Sequence, residues 1–351
     1  MNKSIITTFT VVSLVLGVAG AAGAAPLMYV ATGDANDLVI IDLESDRIVG
    51  RIDELENAHG LAASAKTDYL VAGSMKPQQQ EGGDMAKPAA VSEEEHAAHH
   101  AGGEASEEIQ SPSFLSIIHP EHGHVMRRIA VRSLTHHTAI SPDGRYAIAV
   151  HSGAGGISVV DLDKMDVITT VQTGGWPNYA VFSPSGERLY ISNAQPGTLS
   201  EIETQNWSVK REIKVGKKPE HMVMSRNGEH LFIVDVEGAE VVIVDVEKNQ
   251  VLKRLTVGAE PHGVDVTDDG KWLFVSSKGG EQLARFELDN DRVETITLQP
   301  APYHLDYVDA VGKLYVSSRQ SPLIWVFDPK TLAQINQIDI GKGVAHQMAV
   351  R

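Results

Sequence analysis

The sequence predicts an all-β fold, a seven-bladed β-propeller of four-stranded blades, and three observations predict it. A phrase recurs, reading Pro219-Glu220-His221-Met222-Val223-Met224-Ser225 before Gly228 and Pro261-His262-Gly263-Val264-Asp265-Val266-Thr267 before Gly270. Gly144, Gly186, Gly228 and Gly270 stand 42 residues apart. A fixed period of that size marks a repeat architecture, whose symmetry carries residues distant in sequence to equivalent places about one axis. Within each period the apolar residues alternate over short segments bounded by Gly or Asp, the mark of successive strands.

The elements follow in order. Met1-Asn2-Lys3, the apolar run Ile5 to Val18 and the small residues Ala21 to Ala25 read as a secretory signal peptide over residues 1–24, cut after Ala24. No later stretch approaches about 20 apolar residues, so residues 25–351 are expected to be a single exported, periplasmic propeller domain without membrane insertion. Leu27-Met28-Tyr29-Val30-Ala31-Thr32 begins at the second strand of a blade, and Ala345-His346-Gln347-Met348-Ala349-Val350 supplies a first strand with nothing after it. Pairing these two segments closes the ring and removes the exposed sheet edges.

The next blade begins at His59 and carries an insertion at about 76–112, between its second and third strands. Its core, Ser92-Glu93-Glu94-Glu95-His96-Ala97-Ala98-His99-His100, lacks apolar periodicity apart from a possible short helix over 93–100. A loop between strands two and three emerges on the same face as the start of strand one. His96, His99 and His100 are therefore expected as metal-capturing groups over that face, with a solvated acidic linker as the plainer reading. Thr138 to Ser141, Tyr146 to Val150, Ile157 to Asp161 and Asp166 to Val171 make the third blade, and the same pattern fits 177–214, 219–256, 261–298 and 302–340. His119-Pro120-Glu121-His122-Gly123-His124 falls in a turn on the opposite face, either a separate weak metal site or a polar turn.

Composition narrows the chemistry. With no cysteine, the chain has no disulfide, thiolate metal site or c-type haem attachment, so any metal must sit on His, Asp, Glu or Met. A formal charge of −16 disfavours nucleic acid and anionic membrane and favours a cation or a basic protein patch.

The residues opening each innermost strand gather at one mouth of the channel: His59, His136 and His137, Asn178 and Tyr179, Glu220 and His221, His262, Tyr303 and His304, and His346. Any one of these imidazoles has a packing role as its plainer reading; a ring so rich in them points to a metal. Two registers occur. His59, His136, His262 and His346 stand two places before the next apolar position, whereas His137, His221 and His304 stand one place before it. Neighbours on a strand face opposite sides, so not all are expected to converge. Zinc, which takes four ligands, then calls for three imidazoles plus a carboxylate or water, drawn from His59, His137, His221, His262, His304 and His346. His136, His151, Asp235, Asp265 and Asp306 form a second tier of candidates.

Leu189-Tyr190-Ile191-Ser192-Asn193, Leu273-Phe274-Val275-Ser276-Ser277 and Leu314-Tyr315-Val316-Ser317-Ser318 resemble the Tyr-Val-Thr-Asn (YVTN) repeat of seven-bladed propellers, over essentially residues 26 to 351. Such propellers include lactonases, haem enzymes and binding proteins. Signal peptide, whole-chain propeller and one His-rich insertion together resemble the periplasmic zinc metallochaperones of the AztD type. That resemblance implies bound Zn2+, transfer to the solute-binding protein of a zinc ABC importer, a monomer, and no enzymatic step. Copper is a weaker alternative, because Met222, Met224 and Met348 beside the ring fall on the apolar alternation. A propeller enzyme, a lactonase or metal-dependent hydrolase, would use the same mouth, yet the chain shows no nucleophile motif.

Overall fold

The computed structural model describes residues 25–77 and 111–351, and arranges their strands as seven antiparallel sheets of four. Residues 1–24, expected as a signal peptide, and the core of the insertion, with His96, His99 and His100, lie outside the described residues. In one sheet the C-terminal strand Met348–Val350 pairs with Leu27–Ala31, in the register Met28↔Val350, Tyr29↔Ala349 and Val30↔Met348. Leu27 and Arg351 add two reciprocal backbone hydrogen bonds of 2.9 Å. Among the described residues no helix is long and apolar enough to cross a membrane.

Burial across a blade follows from its surroundings. Inner strands are sandwiched between neighbouring blades, and Leu70–Ser74 and Gly156–Asp161 are buried at every position. The outermost strand meets water along one side, and Asp166–Gln172 alternates accordingly. The apolar residues pack between blades rather than around one centre. Ile148, Val150, Ile157 and Val159 of one blade meet Ala180, Leu189, Ile191 and Ile202 of the next. The last blade meets the first in the same way, through Tyr315, Ile324 and Val326 against Met28, Val30 and Ile41. Asp46 ties the same two blades together, accepting hydrogen bonds from Lys313 Nζ at 2.8 Å and Tyr315 Oη at 2.7 Å.

The 42-residue marker is turn chemistry. Gly144, Gly186, Gly228 and Gly270 hold φ of 77, 74, 73 and 71°, a left-handed conformation that glycine adopts without steric cost. Each lies in the hairpin between the first and second strands of its blade. There a hydroxyl of Ser141, Ser183, Ser225 or Thr267 accepts from the first backbone N–H of the return strand, at 2.9 to 3.1 Å. These hairpins stand at the ends of the innermost strands, opposite the histidine mouth.

Blade-to-blade packing makes the closing strand a stability determinant. Met28 is fully buried there, whereas Met126 on an outermost strand is 48% exposed. Met28→Ala is expected to lower the unfolding free energy by about 2–5 kcal/mol. Met126→Ala is expected to change it by no more than about 0.5 kcal/mol. Guanidinium denaturation of the two variants beside the parent chain checks both.

Candidate metal centre

The mouth of the channel is built on a repeated irregularity. In five blades the innermost strand leaves its ladder near its start, between Pro177 and Ala180, Pro219 and Met222, Pro261 and Val264, Pro302 and Leu305, and Ala58 and Gly60. Bulges of this kind re-aim side chains and leave backbone groups to be satisfied otherwise. The serine of the YVTN-like segment satisfies them. Ser192 Oγ accepts from Tyr179 N at 3.0 Å and donates to the Glu220 carbonyl of the next blade at 2.6 Å. Ser276 repeats the arrangement between Gly263 N and the Tyr303 carbonyl, and Ser317 Oγ accepts from His304 N at 3.1 Å. Gly60 leaves room for the neighbouring strand, since a Cβ there would meet the His137 backbone at 2.9 Å.

The expectation that not all the histidines converge agrees with their ligand atoms, although the rings themselves lie closer than alternation suggests. Strict alternation would keep the two registers apart, yet all seven imidazoles form one continuous run of ring contacts. From His346 to His59 the centroids are 4.0 Å apart, then 4.6 Å to His136 and 4.2 Å on to His137. His137 lies 4.6 Å from His221, which in turn lies 3.9 Å from His262 and 4.8 Å from His304. Ligand atoms are more selective than ring centres. Among the described residues, His137, His221 and His304, the set sharing the second register, bring their nitrogens within 4.8 Å of one another.

All three rings are buried, at 1, 3 and 5% exposure. His137 Nδ1 stands 2.8 Å from the Asn178 carbonyl, which can only accept, so the proton is on Nδ1 and Nε2 keeps a lone pair in the neutral ring. Nε2 points at His221 Nε2, 3.0 Å away. Two nitrogens bound tetrahedrally at about 2.0–2.1 Å from zinc are roughly 3.4 Å apart, so this pair already has nearly the spacing of two zinc ligands. His304 requires a closure of an ångström or so. Three neutral imidazoles from three blades, one fixed by a backbone acceptor, fit a borderline-soft divalent ion such as zinc.

Other expected ligands are placed differently. His59 Nδ1 is 3.0 Å from the His136 carbonyl, and His262 stacks on Tyr303 at 3.8 Å. His59, His136, His262 and His346 flank the three-histidine set without joining it. His151 and Asp235 are held in structural roles. His151 donates from Nδ1 to the Leu134 carbonyl at 3.1 Å and accepts at Nε2 from Ser158 at 2.8 Å. Asp235 accepts from the backbone N–H of Lys217 and Lys218, both at 2.8 Å, and from Gly238 at 3.2 Å. Both ring nitrogens of His151 are engaged, and the carboxylate of Asp235 is turned to this backbone turn. His119, His122 and His124 stack on one another in their turn, without forming a ligand group of three.

Asp265 and Asp306 occupy equivalent positions one level deeper in the channel, on adjacent blades. Asp265 accepts from Tyr307 N at 2.7 Å and Val266 N at 2.8 Å. Burial pushes its carboxyl up to about 7, the two backbone donors opposing that rise. Burial, and secondarily the charge of Asp265, raises Asp306 well above the carboxylate range. Between them and the imidazoles lies a cavity of about 20 Å³, lined by Tyr179, His221, His304, Asp306 and Gln347, enough for about one water molecule. Burial, followed by the charge of Asp306, raises Tyr179, which stays protonated.

Sequence reasoning missed Gln347. Its Oε1 accepts from Leu61 N at 3.0 Å, and its Nε2 donates to the Thr138 carbonyl and Tyr179 Oη, each at 3.3 Å. One side chain of the C-terminal strand thereby ties three other blades. It holds the same repeat position as His137, His221 and His304, a signal readable once the register is continued to the end. Glu220 is also buried here, 3.3 Å from Lys218 Nζ and 3.9 Å from His262 Nδ1.

Comparison with known proteins adds to this geometry. The sequence model of a family described as YNCE-like beta-propeller matches residues 110–287. No curated protein matches the chain. Solved structures with the same fold include a proposed 6-phosphogluconolactonase from Bacteroides uniformis, at 14% identity and TM-score 0.71, covering 93% of this chain and 99% of its own. A periplasmic gluconolactonase from Pseudomonas aeruginosa is 15% identical with TM-score 0.70, covering 93% and 98%. Hydrazine synthase of Kuenenia stuttgartiensis is 14% identical with TM-score 0.66, covering 83% and 89%. At such identity the likeness carries the fold alone. It nevertheless overturns the expectation that the chain is not an enzyme, because propellers matching nearly its whole length are named as lactonases. That expectation came from the resemblance to metallochaperones, supported by a missing nucleophile motif, and a site assembled from separate blades need leave no contiguous motif.

His151 gives a pH signature separate from the centre. Burial lowers its pKa from 6.5 to about 4, so it is neutral when folded and takes up a proton below pH 6.5 when unfolded. Its contribution is complete above pH 6.5 and is lost as pH falls toward 4. His151→Gln, which titrates nothing, is expected to flatten that part of the stability profile by about 3 kcal/mol. Urea unfolding at intervals from pH 7 to 4 measures the difference.

Proposed function

The chain belongs to the YNCE-like β-propeller family, and from that premise we propose that it is a periplasmic zinc-binding propeller of the AztD type. Zinc is the cargo. His137, His221 and His304 hold it, and the solute-binding protein of a zinc importer receives it. One observation carries this reading: three buried imidazoles from three blades place their nitrogens within 4.8 Å of one another, with a backbone carbonyl fixing the tautomer of His137. Neutral imidazoles bind zinc reversibly and release it as they protonate, which suits transfer better than storage. The charge of −16 supports a cationic cargo by drawing cations toward the protein. His59, His136 and His346, in ring contact with the centre, supply further imidazoles for stepwise ligand exchange toward a partner.

A second reading, hydrolysis of a lactone or ester at the same centre, is favoured by the water-sized cavity between the imidazoles and Asp306. Three protein ligands leave a coordination position for substrate or water, as catalytic zinc sites do. In that reading Asp306 takes up the proton released by the attacking water.

Competition titration of the metal-stripped protein is expected to give tight zinc binding near one equivalent. His137→Ala, His221→Ala and His304→Ala should each weaken it by at least about 100-fold, since losing even an outer partner of a ligand costs about 10–100-fold. Alanine at His122 should leave it unchanged. Equal loss at His122, or binding no tighter than at a surface histidine, refutes the reading. Zinc retention should fall as pH drops through about 6.5, the ordinary imidazole range. Zinc moving to a zinc solute-binding protein faster than it dissociates to a chelator supports transfer. Zinc-dependent turnover of gluconolactone, lost in Asp306→Asn, moves the case to hydrolysis.

A further inference from the structure

The channel does not end at the imidazoles. Beyond Tyr179, Gln347 and Asp306 it widens into a chamber of about 750 Å³ that opens on the opposite face, at the hairpins carrying the marker glycines. That volume lies within the range of pockets for small organic molecules. Its wall is mixed, with Leu61, Ile140, Val181, Phe182, Val308 and Met348 beside the polar Thr138, Arg226, Asp268 and Asp309. The repeat explains the wall, because the inward position one level below the imidazoles is Ala62, Ala139, Val181, Val223 and Ala349 in five blades. In the remaining two it is Asp265 and Asp306.

Those departures place charge where the scaffold otherwise puts methyl groups. Asp306 lines the chamber at its inner end, and Asp265 lies near enough for its charge to act on Asp306; both side chains are only partly exposed. Among the described residues no lysine or arginine forms an ion pair with either. The cation lining the chamber, Arg226, is paired at 2.7 Å with Asp268, which lines it too. Asp309, also on the wall, accepts from Tyr307 Oη at 3.1 Å. The chamber therefore has apolar groups in its body, the buried Asp306 carboxyl without a cationic partner at its inner end, and the rings of Tyr179, Phe182 and Tyr307 in its wall. A carboxyl buried without a counter-charge holds its proton, and a ligand bringing a positive charge on an apolar body favours the ionised form as its partner. Aromatic faces favour the same kind of ligand.

We propose that this chamber is a second ligand site, entered from the face opposite the histidine mouth, which binds a small organic ammonium compound with its charged head against Asp306 and Asp265. The site is distinct from the three-histidine set, since its entrance lies on a different face, although Asp306, Tyr179 and Gln347 stand between the two and line both cavities. An amine-bearing small molecule could therefore occupy the chain whether or not zinc is present.

Phenylethylammonium is the probe, with 2-phenylethanol as a neutral molecule of similar shape, and calorimetry on the full chain after metal removal with EDTA is the measurement. The ammonium is expected to saturate a single site and to bind at least about tenfold more tightly than the alcohol. Asp306→Asn and Asp265→Asn, both of nearly unchanged shape, should each reduce ammonium binding severalfold and leave the alcohol where it was. Circular dichroism of the variants checks that the fold is kept. Equal affinities for the two probes, ammonium binding unaffected by either substitution, or no binding at 10 mM ammonium overturns the proposal. Stoichiometric displacement of the probe by Ca2+ also overturns it, by assigning the carboxylates to a metal. Because zinc is absent throughout, failure here leaves the three-histidine centre untouched, and failure of zinc binding leaves this site untouched.

Discussion

Everything at the centre of this protein depends on the face-to-face packing of adjacent blades. Each blade buries an apolar face on either side, and seven such contacts, including the one between the last blade and the first, fix the innermost strands about one axis. An imidazole at the start of one strand is thereby held against imidazoles more than 80 residues away, as His137 is against His221. The packing is non-directional and tolerant of exchange among apolar residues of similar size, so it constrains position without dictating chemistry. Chemistry is left to the residues that look into the channel, and those are the ones that differ from blade to blade.

Between the packing and the centre stands a second device, the bulge at the start of the innermost strands. A regular strand would send alternate residues to opposite faces and split the histidines into two groups. The bulge frees backbone N–H groups, and serines of the second strands take them up while bonding a carbonyl of the next blade. Ser192 and Ser276 thus couple the hydrogen bonding of one blade to the seating of its neighbour. The residues that make the repeat recognisable are therefore the supports of the mouth, while the ligands it carries are free to vary.

That division explains what could be read from the sequence. Blade number, strand order and the pairing of the two ends were legible because each is a periodic signal or a deficit of one strand. Register showed that the histidines fall into two sets, but it left six imidazoles of both sets as candidate ligands; that His137, His221 and His304 are the ones with nitrogens close together comes from the structure. The contact of all seven rings was not legible, since a bulge violates the alternation on which that inference stood. His151 and Asp235 were candidates by residue type alone, and their engagement with Leu134, Ser158 and the turn at Lys217 depends on hydrogen bonds that no pattern encodes. Gln347 was hidden differently, being a residue without metal chemistry whose importance lies in bridging three blades.

The two levels of the channel make opposite use of the same scaffold. At the upper level the repeat is filled with imidazoles, which are neutral near pH 7 and can crowd together without repelling. At the lower level it is filled with small apolar groups, and two carboxylates interrupt it. One carboxylate, Glu220, stands at the upper level beside Lys218 and His262, away from the shared nitrogens of the three-histidine set; Asp306 lies a level deeper, beside Tyr179 and Gln347. The symmetry of the ring makes such layering easy, because each repeat position generates a complete level, and changing a level requires changes at only one position per blade.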